Sequence, residues 1–501
     1  MTSRRLAWIA AGLTFLFHLV ANPHYGFFRD ELYFIVCGRH PAWGYVDQPP
    51  LVPLIAAGSQ IFGLSLVALR TTAAFCAAAG VFVSCRLVDA WGGERFAQIV
   101  TAIVVALTPV LCAFGEKVGP DMIGLWLWPL AALSVTRLAN GADPRLWLAV
   151  GAALGISGEA KYSVLFFAIA MLVGIALSAA RTILRTPWFL AGMALAFLIV
   201  LPNFIWQAAH QFPMWQLLHY DQMVGKNVVL SPPAYLEQQL LITNPLLAPV
   251  WIVGLVGAFL DRRLRWVGWT YVLLIAMMIA LHGKHYYPAD VYPLVIAAGA
   301  VTIERVTQRA TLVRPVIALL AVAFSLWLLP MVEPILPEAR VAAYQHALSQ
   351  RLHVSTASER SRQPAIGQDF ADMHGWPQLA ALVASVYDSL PPAERAQAAI
   401  AASNYGEAAA IDVLGKEYHL PPVLSGHNNY WIWGTHGYSG SVLIDVHGDC
   451  GASKHLFRSS RRAATFSAPW VMPYEDGFPI MVCQGIRVPL AALWPKLKLY
   501  V

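Results

Sequence analysis

The stretch Gly26–Leu51, GFFRDELYFIVCGRHPAWGYVDQPPL, sets Arg29, Asp30, Glu31 and Asp47 among aromatics, soon after an apolar run. A carboxylate beside an acceptor hydroxyl can take its proton as a general base. A guanidinium next to it can bind a phosphate through paired N–H groups. Further mixed-charge clusters follow: EKVGPD (Glu116–Asp121), GEAKYS (Gly158–Ser163) and HGKHYYPAD (His282–Asp290). They supply Lys117, Asp121, Lys161, Lys284, Tyr286 and Tyr287. An ammonium group can hold a phosphate and stabilise it as it leaves. Aromatic and apolar walls can hold a lipid chain or stack on a sugar face. Such a set suits transfer of a sugar from a lipid-linked phosphate to an acceptor. No Gly-rich phosphate loop occurs in the sequence, so a nucleotide donor has no recognisable cradle.

The elements that must position these groups are apolar runs. The 501 residues are 58% hydrophobic and 12% charged, with mean hydropathy +0.56, the balance of a multi-span membrane protein. About eleven spans are expected, over roughly 6–22, 66–88, 96–114, 121–139, 146–158, 162–180, 187–206, 244–260, 265–282, 291–305 and 312–332. The fifth falls short of the ~20 residues a span needs; it is either tilted or a half-helix continuous with the sixth. Residues 50–64, apolar but rich in Gly and Pro, belong on the outer membrane surface. The first run follows Arg4 and Arg5 and has no small-x-small cleavage site, so it reads as an uncleaved helix.

Arginine sets the orientation. Arg86, Arg95, Arg137, Arg145, Arg181, Arg185, Arg262, Arg263, Arg265, Arg305, Arg309 and Arg314 join Arg4 and Arg5 in alternate connections. The positive-inside rule makes that side cytoplasmic. The expectation is an inner-membrane protein with a cytoplasmic N-terminus and a periplasmic C-terminal domain. Lys117, Lys161, Lys226 and Lys284 fall on the opposite side. A bound anion accounts for them there, as does capping of helix-end carbonyls. Ionisable groups at the hydrocarbon boundary are costly unless paired or hydrated, which predicts one polar cavity shared by these loops. The net charge of +6 resides in short loops and implies no nucleic-acid partner. His282 and His285 are too few to hold a metal, so no cofactor is expected, and a divalent metal, open in principle, has no clear ligand set.

The division is 1–332 for the transmembrane part and 333–501 for a soluble α/β domain. GWPQLAALVASVYDSL has helical periodicity, and AQAAIAAS, GSVLIDVHG and FPIMVCQGI read as buried strands. Cys450 and Cys483 are the only cysteines there, and a periplasmic location permits a disulfide between them. SNYGEA and SGHNNYWIWG carry Tyr405, Glu407, His427, Asn428 and Tyr430. Those residues could form an acceptor- or sugar-binding rim; turn chemistry alone also accounts for them.

In RDELYF, GYVDQPPL and GKHYYPADVYP the chain resembles integral-membrane glycosyltransferases of the GT-C fold, family 39. That family includes protein O-mannosyltransferases and lipid A aminoarabinose transferases. The resemblance covers the membrane part, with Pro120–Asp121 and Lys161–Tyr162 as weaker motifs. It implies inverting transfer from a polyprenyl-phosphate sugar to an envelope lipid, glycan or protein acceptor, in the bilayer, without a nucleotide sugar. It makes Asp30 the catalytic carboxylate, with Glu31 as the second acid of the pair. The acid before the paired prolines falls on Asp47, and the acid after the third span on Asp121. Relatives often carry a lysine after the former; here Gln48 follows. The lipid phosphate falls to Lys161, Lys284, Tyr286 and Tyr287, and Arg29 and Lys117 complete the cationic set. The alternative is a transporter or flippase of lipid-linked sugars. That activity calls for ionisable groups near mid-membrane, whereas these concentrate in the loops of one face.

Overall fold

Each of the eleven apolar runs folds as helix. The computed structural model describes residues 3–225, 228–352, 364–451 and 455–501; Lys226 lies outside them. The helices are α1 (Ser3–Ala21), α2 (Arg29–Arg39), α3 (Leu51–Ser59), α4 (Leu66–Ala90), α5 (Arg95–Leu107), α6 (Pro109–Glu116), α7 (Asp121–Ala139), α8 (Trp147–Gly158) and α9 (Val164–Ala176). They continue with α10 (Pro187–Ala209), α11 (Pro213–Val224), α12 (Pro232–Ile242), α13 (Ala248–Leu260), α14 (Arg265–Ala280), α15 (Tyr292–Val306), α16 (Val313–Leu328) and α17 (Glu338–Leu352).

Five helices are long and apolar enough to cross a bilayer: α1, α4, α7, α10 and the stretch Val313–Met331. Counting each of two bent pairs as one span brings the number to seven among the described residues. One pair is α5 and α6, bent by 61°. Pro109 lacks an N–H and disfavours the helical conformation at Thr108, which is extended (φ −66°, ψ 124°). The remaining expected spans are short. Helices α8, α13, α14 and α15 have 12 to 16 residues, so they rise about 18–24 Å against about 30 Å of hydrocarbon. A turn over Glu159–Ser163 separates α8 from α9, so the short fifth run is a helix of its own. The surface segment predicted at 50–64 contains α3, which packs beside α2.

Small residues bring the helices into contact. A Cβ on Gly254 of α13 would stand 1.8 Å from the Val295 carbonyl oxygen of α15, and one on Gly299 would stand 1.9 Å from that of Val250. Backbone-to-backbone approach of this kind gives dispersion contact where no hydrophobic drive exists. At one end of the bundle, Gln98 donates to Ser3 Oγ (2.7 Å) and Arg305 donates to the Trp91 carbonyl (2.8 Å). Glu304 there accepts from the Ala97 N–H (3.0 Å). The loops rich in lysine and acid emerge at the other end.

The C-terminal part is an α/β domain. Its strands are β1 (Ala398–Ala402), β2 (Val423–Leu424), β3 (Val442–Val446), β4 (Phe457–Phe466) and β5 (Phe478–Ile486), in the order β2-β1-β3-β5-β4. β1 runs parallel to β2 and β3, and β5 is antiparallel to β3 and β4. The helix Trp376–Asp388 and strands β1, β3 and β5 lie where their patterns predict. β4 was not expected, because FRSSRRAATF is an exposed edge strand without apolar alternation. Cys450 and Cys483 are disulfide-bonded, tying the loop after β3 to β5.

Candidate active site

Helix α2 starts at Arg29, and its orientation is set by Glu31. The Phe28 N–H donates to Glu31 Oε2 (2.9 Å), closing the first turn. Arg70 of α4 donates to the same carboxylate through Nη2 (2.8 Å) and Nε (3.0 and 3.2 Å). Its other donors reach the carbonyls of Asn22 (2.5 Å) and Gly26 (2.7 Å). The Val118 N–H adds a further bond to Glu31 Oε1 (2.9 Å). Both side chains are enclosed, with 0% and 1% exposure. Glu31 therefore joins α2 to α4 and to the loop before α7, with its acceptor capacity used within the protein.

Asp30, one residue earlier, is different. Its side chain is 35% exposed. Oδ1 accepts from the Tyr405 hydroxyl (2.7 Å), and Arg29 Nε stands 3.5 Å away. Arg29 also donates to the Tyr474 hydroxyl (2.9 Å), approaches Asp372 (3.8 Å) and lies over the Tyr405 ring. Asp47 accepts from the Tyr33 hydroxyl (3.3 Å) and from Asn428 Nδ2 (3.3 Å). The Tyr33 and Tyr405 rings stand 4.7 Å apart. Two acids of the first loop are thus bridged by two tyrosines, one from the membrane part and one from the α/β domain. Burial pushes the Asp372 carboxyl up to about 7, against the opposing pull of Arg29.

A second group lies in the neighbouring loops. Lys161 pairs with Asp121 at 2.5 Å and faces the rings of Tyr287 (4.4 Å) and Tyr286 (5.1 Å). The Leu51 N–H donates to the Glu159 carbonyl (2.9 Å), which links this loop to the first. Lys284 begins the turn that presents these tyrosines, with its carbonyl accepting from the Tyr287 N–H (3.1 Å) and the Tyr235 hydroxyl (3.2 Å). Lys117 pairs with Glu116 (3.1 Å) and Asp369 (3.5 Å), over the Phe28 ring.

Of the C-terminal residues singled out by sequence, Tyr405 and Asn428 reach the two acids. The others turn into the domain itself. His427 Nε2 lies 3.0 Å from the Val501 main-chain oxygen. The buried Tyr430 donates to Asp412 (2.8 Å). Glu407 accepts from the Ser403 N–H (3.0 Å) and meets His447 Nδ1 at 2.6 Å. Burial pushes Glu407 up to about 7, and burial beside Glu407 pushes Glu475 up to about 8. Sequence reasoning missed Arg70, Asp372 and Tyr474. A lone arginine early in an apolar run was the available signal for Arg70; the other two sit in unpatterned loops.

Residues 47–206 match the family described as dolichyl-phosphate-mannose-protein mannosyltransferase. No curated protein sequence matches the chain. Among solved structures it is similar to ArnT from Cupriavidus metallidurans bound to undecaprenyl phosphate, at 14% identity and TM-score 0.60, over 95% of this chain and 97% of that one. ArnT in the apo state gives 14% identity and TM-score 0.56, over 95% and 96%. Arabinofuranosyltransferase AftD from Mycobacteria gives 14% and 0.52, over 97% of this chain and 42% of that one. This chain is therefore a helical membrane protein of the GT-C fold with a C-terminal α/β domain, and it carries the mannosyltransferase-family match within its membrane part.

Proposed function

We propose that this protein is an inverting glycosyltransferase. It moves a sugar from a polyprenyl-phosphate donor to an envelope lipid, glycan or protein acceptor on the periplasmic side of the inner membrane. The observation that carries the reading is Asp30, partly exposed to solvent yet oriented by Tyr405 and Arg29. Its loop is joined to that of the Lys161–Asp121 pair by the Leu51 N–H on the Glu159 carbonyl. Its carboxylate accepts the proton of the acceptor hydroxyl, whose oxygen attacks the anomeric carbon. The bond from that carbon to the phosphate oxygen breaks, and polyprenyl phosphate leaves with the electron pair. Lys161, with Lys284 and the hydroxyls of Tyr286 and Tyr287, stabilises the charge on the departing phosphate. Lys117 and Arg29 add positive potential. Asp47 and Asn428 line the acceptor side, and Glu31 acts through Arg70 as a positioning residue.

The test is sugar transfer by the reconstituted protein from a synthetic undecaprenyl-phosphate sugar. Asp30→Asn keeps the shape and removes the base, so turnover should fall ~10²–10⁴-fold with donor binding unchanged. Near-normal turnover would move the base elsewhere, with Asp121 the next candidate.

A further inference from the structure

Three segments of the α/β domain converge on a cluster that the proposed transfer does not use. Glu407 lies in the first turn of the helix Tyr405–Leu414, His447 directly after β3, and Glu475 in a short turn between β4 and β5. One ligating atom from each lies within 4.8 Å of the others. Glu407 and Glu475 are 0% and 3% exposed. Glu407 has its bond from Ser403, and Glu475 Oε1 accepts from Asn404 Nδ2 (3.0 Å). Among the described residues, no lysine or arginine pairs with either. Glu475 Oε2 is buried without a hydrogen-bond partner. Two enclosed carboxyls facing one another, with no lysine or arginine beside them, need either a shared proton or a cation between them. The His447 imidazole stacks flat on Phe478 (4.4 Å), turned toward Glu407, and is 31% exposed.

We propose that Glu407, His447 and Glu475 bind one divalent cation of the zinc class, with water at the fourth position on the exposed side of His447. Two carboxylates and an imidazole are a ligand set for such a borderline cation. Calcium and magnesium prefer oxygen alone. The cation takes the place of a proton between the two acids and gives Glu475 Oε2 a partner. Its second effect is on position. Tyr405 precedes Glu407 by two residues and donates to Asp30; Tyr474 adjoins Glu475 and accepts from Arg29. The metal would fix the two segments that present these tyrosines, acting as a positioning centre outside the reaction itself. Two other groups of ligand-type residues exist among the described residues. One includes Cys450 and Cys483, whose sulfurs are in a disulfide; the other, His18, Cys112 and Glu333, is closed to solvent.

The experiment uses the full chain in detergent, stripped with a chelator and titrated with zinc chloride alone. Calorimetry and metal content after desalting should give one zinc per chain. His447→Ala and Glu475→Gln should each weaken that binding by at least ~10-fold. Zinc should raise the thermal midpoint of the wild type and leave that of both variants unmoved. Glu475→Gln is isosteric and removes a ligating carboxylate oxygen, so it keeps the comparison open if His447→Ala folds poorly. Absence of binding, zinc content unchanged in both variants, or preference for calcium would each overturn the proposal. Because transfer is not the readout, such a result leaves the transferase reading standing.

Discussion

Neighbouring residues in one helical turn can have opposite tasks. Glu31 is enclosed by four donors while Asp30 is open to solvent. Sequence identified both as an acid pair, and only burial separates them. Lys161 belongs to the same scale. It stands between Asp121 and two tyrosine faces, where the proposed reading puts the donor phosphate. Lys161→Met should weaken donor binding by ~1.5–3 kcal/mol, measured by titration with a lipid-phosphate donor; unchanged affinity would remove it from the donor site. Asp372 makes a prediction about pH. Its folded pKa, about 7, lies above the ordinary carboxyl value, so the folded state favours the protonated form. That contribution is complete below about pH 4 and is lost as pH rises through about 7, at up to about 4 kcal/mol. Thermal midpoints of wild type should therefore fall relative to Asp372→Asn between pH 4 and pH 8. Parallel curves would show that Asp372 does not titrate there.

At the scale of elements, the join of α2 to α4 rests on one ion pair. Arg70→Met leaves Glu31 charged and buried, which costs about 3–5 kcal/mol. Adding Glu31→Gln removes that charge and keeps one acceptor oxygen, for the N–H of either Phe28 or Val118. The double variant should thus unfold at a higher temperature than Arg70→Met alone; equal midpoints would mean the pair carries no such load. Helices were the legible elements, because runs of apolar residues near spanning length have few other fates in a membrane. Their breaks were less so: the bend at Pro109 sits inside one continuous apolar run. Strands β1, β3 and β5 announced themselves by apolar residues, whereas β4 is polar and β2 has two residues. The hydrogen bonds from Tyr405 to Asp30 and from Asn428 to Asp47 left no trace in sequence, since pairing across such distances has no local pattern.

For the whole molecule, the two ends of the bundle differ in charge chemistry. One is tied by arginines to acids and carbonyls, including Arg305 with Asp261 (3.1 Å) and Arg314 with the Glu304 carbonyl (2.8 Å). The other holds the lysines and the candidate base. With the arginine end inside, a reporter fused after Val501 should be active only in the periplasm. Cytoplasmic activity would put the proposed site on the wrong face.

The contact between Asp30 and Tyr405 also bears on how the chain is made. The two residues are separated by 375 positions. During synthesis, then, the candidate base is finished early and its tyrosine arrives late, after the membrane helices. Contacts so remote in sequence form slowly, because a long loop must close before they repay it. A chain that stops before residue 405 could keep its helices and its lysines yet present Asp30 without the hydroxyl that orients it. On the proposed reading, dependence on the distal domain would keep an incomplete polypeptide from acting on a donor.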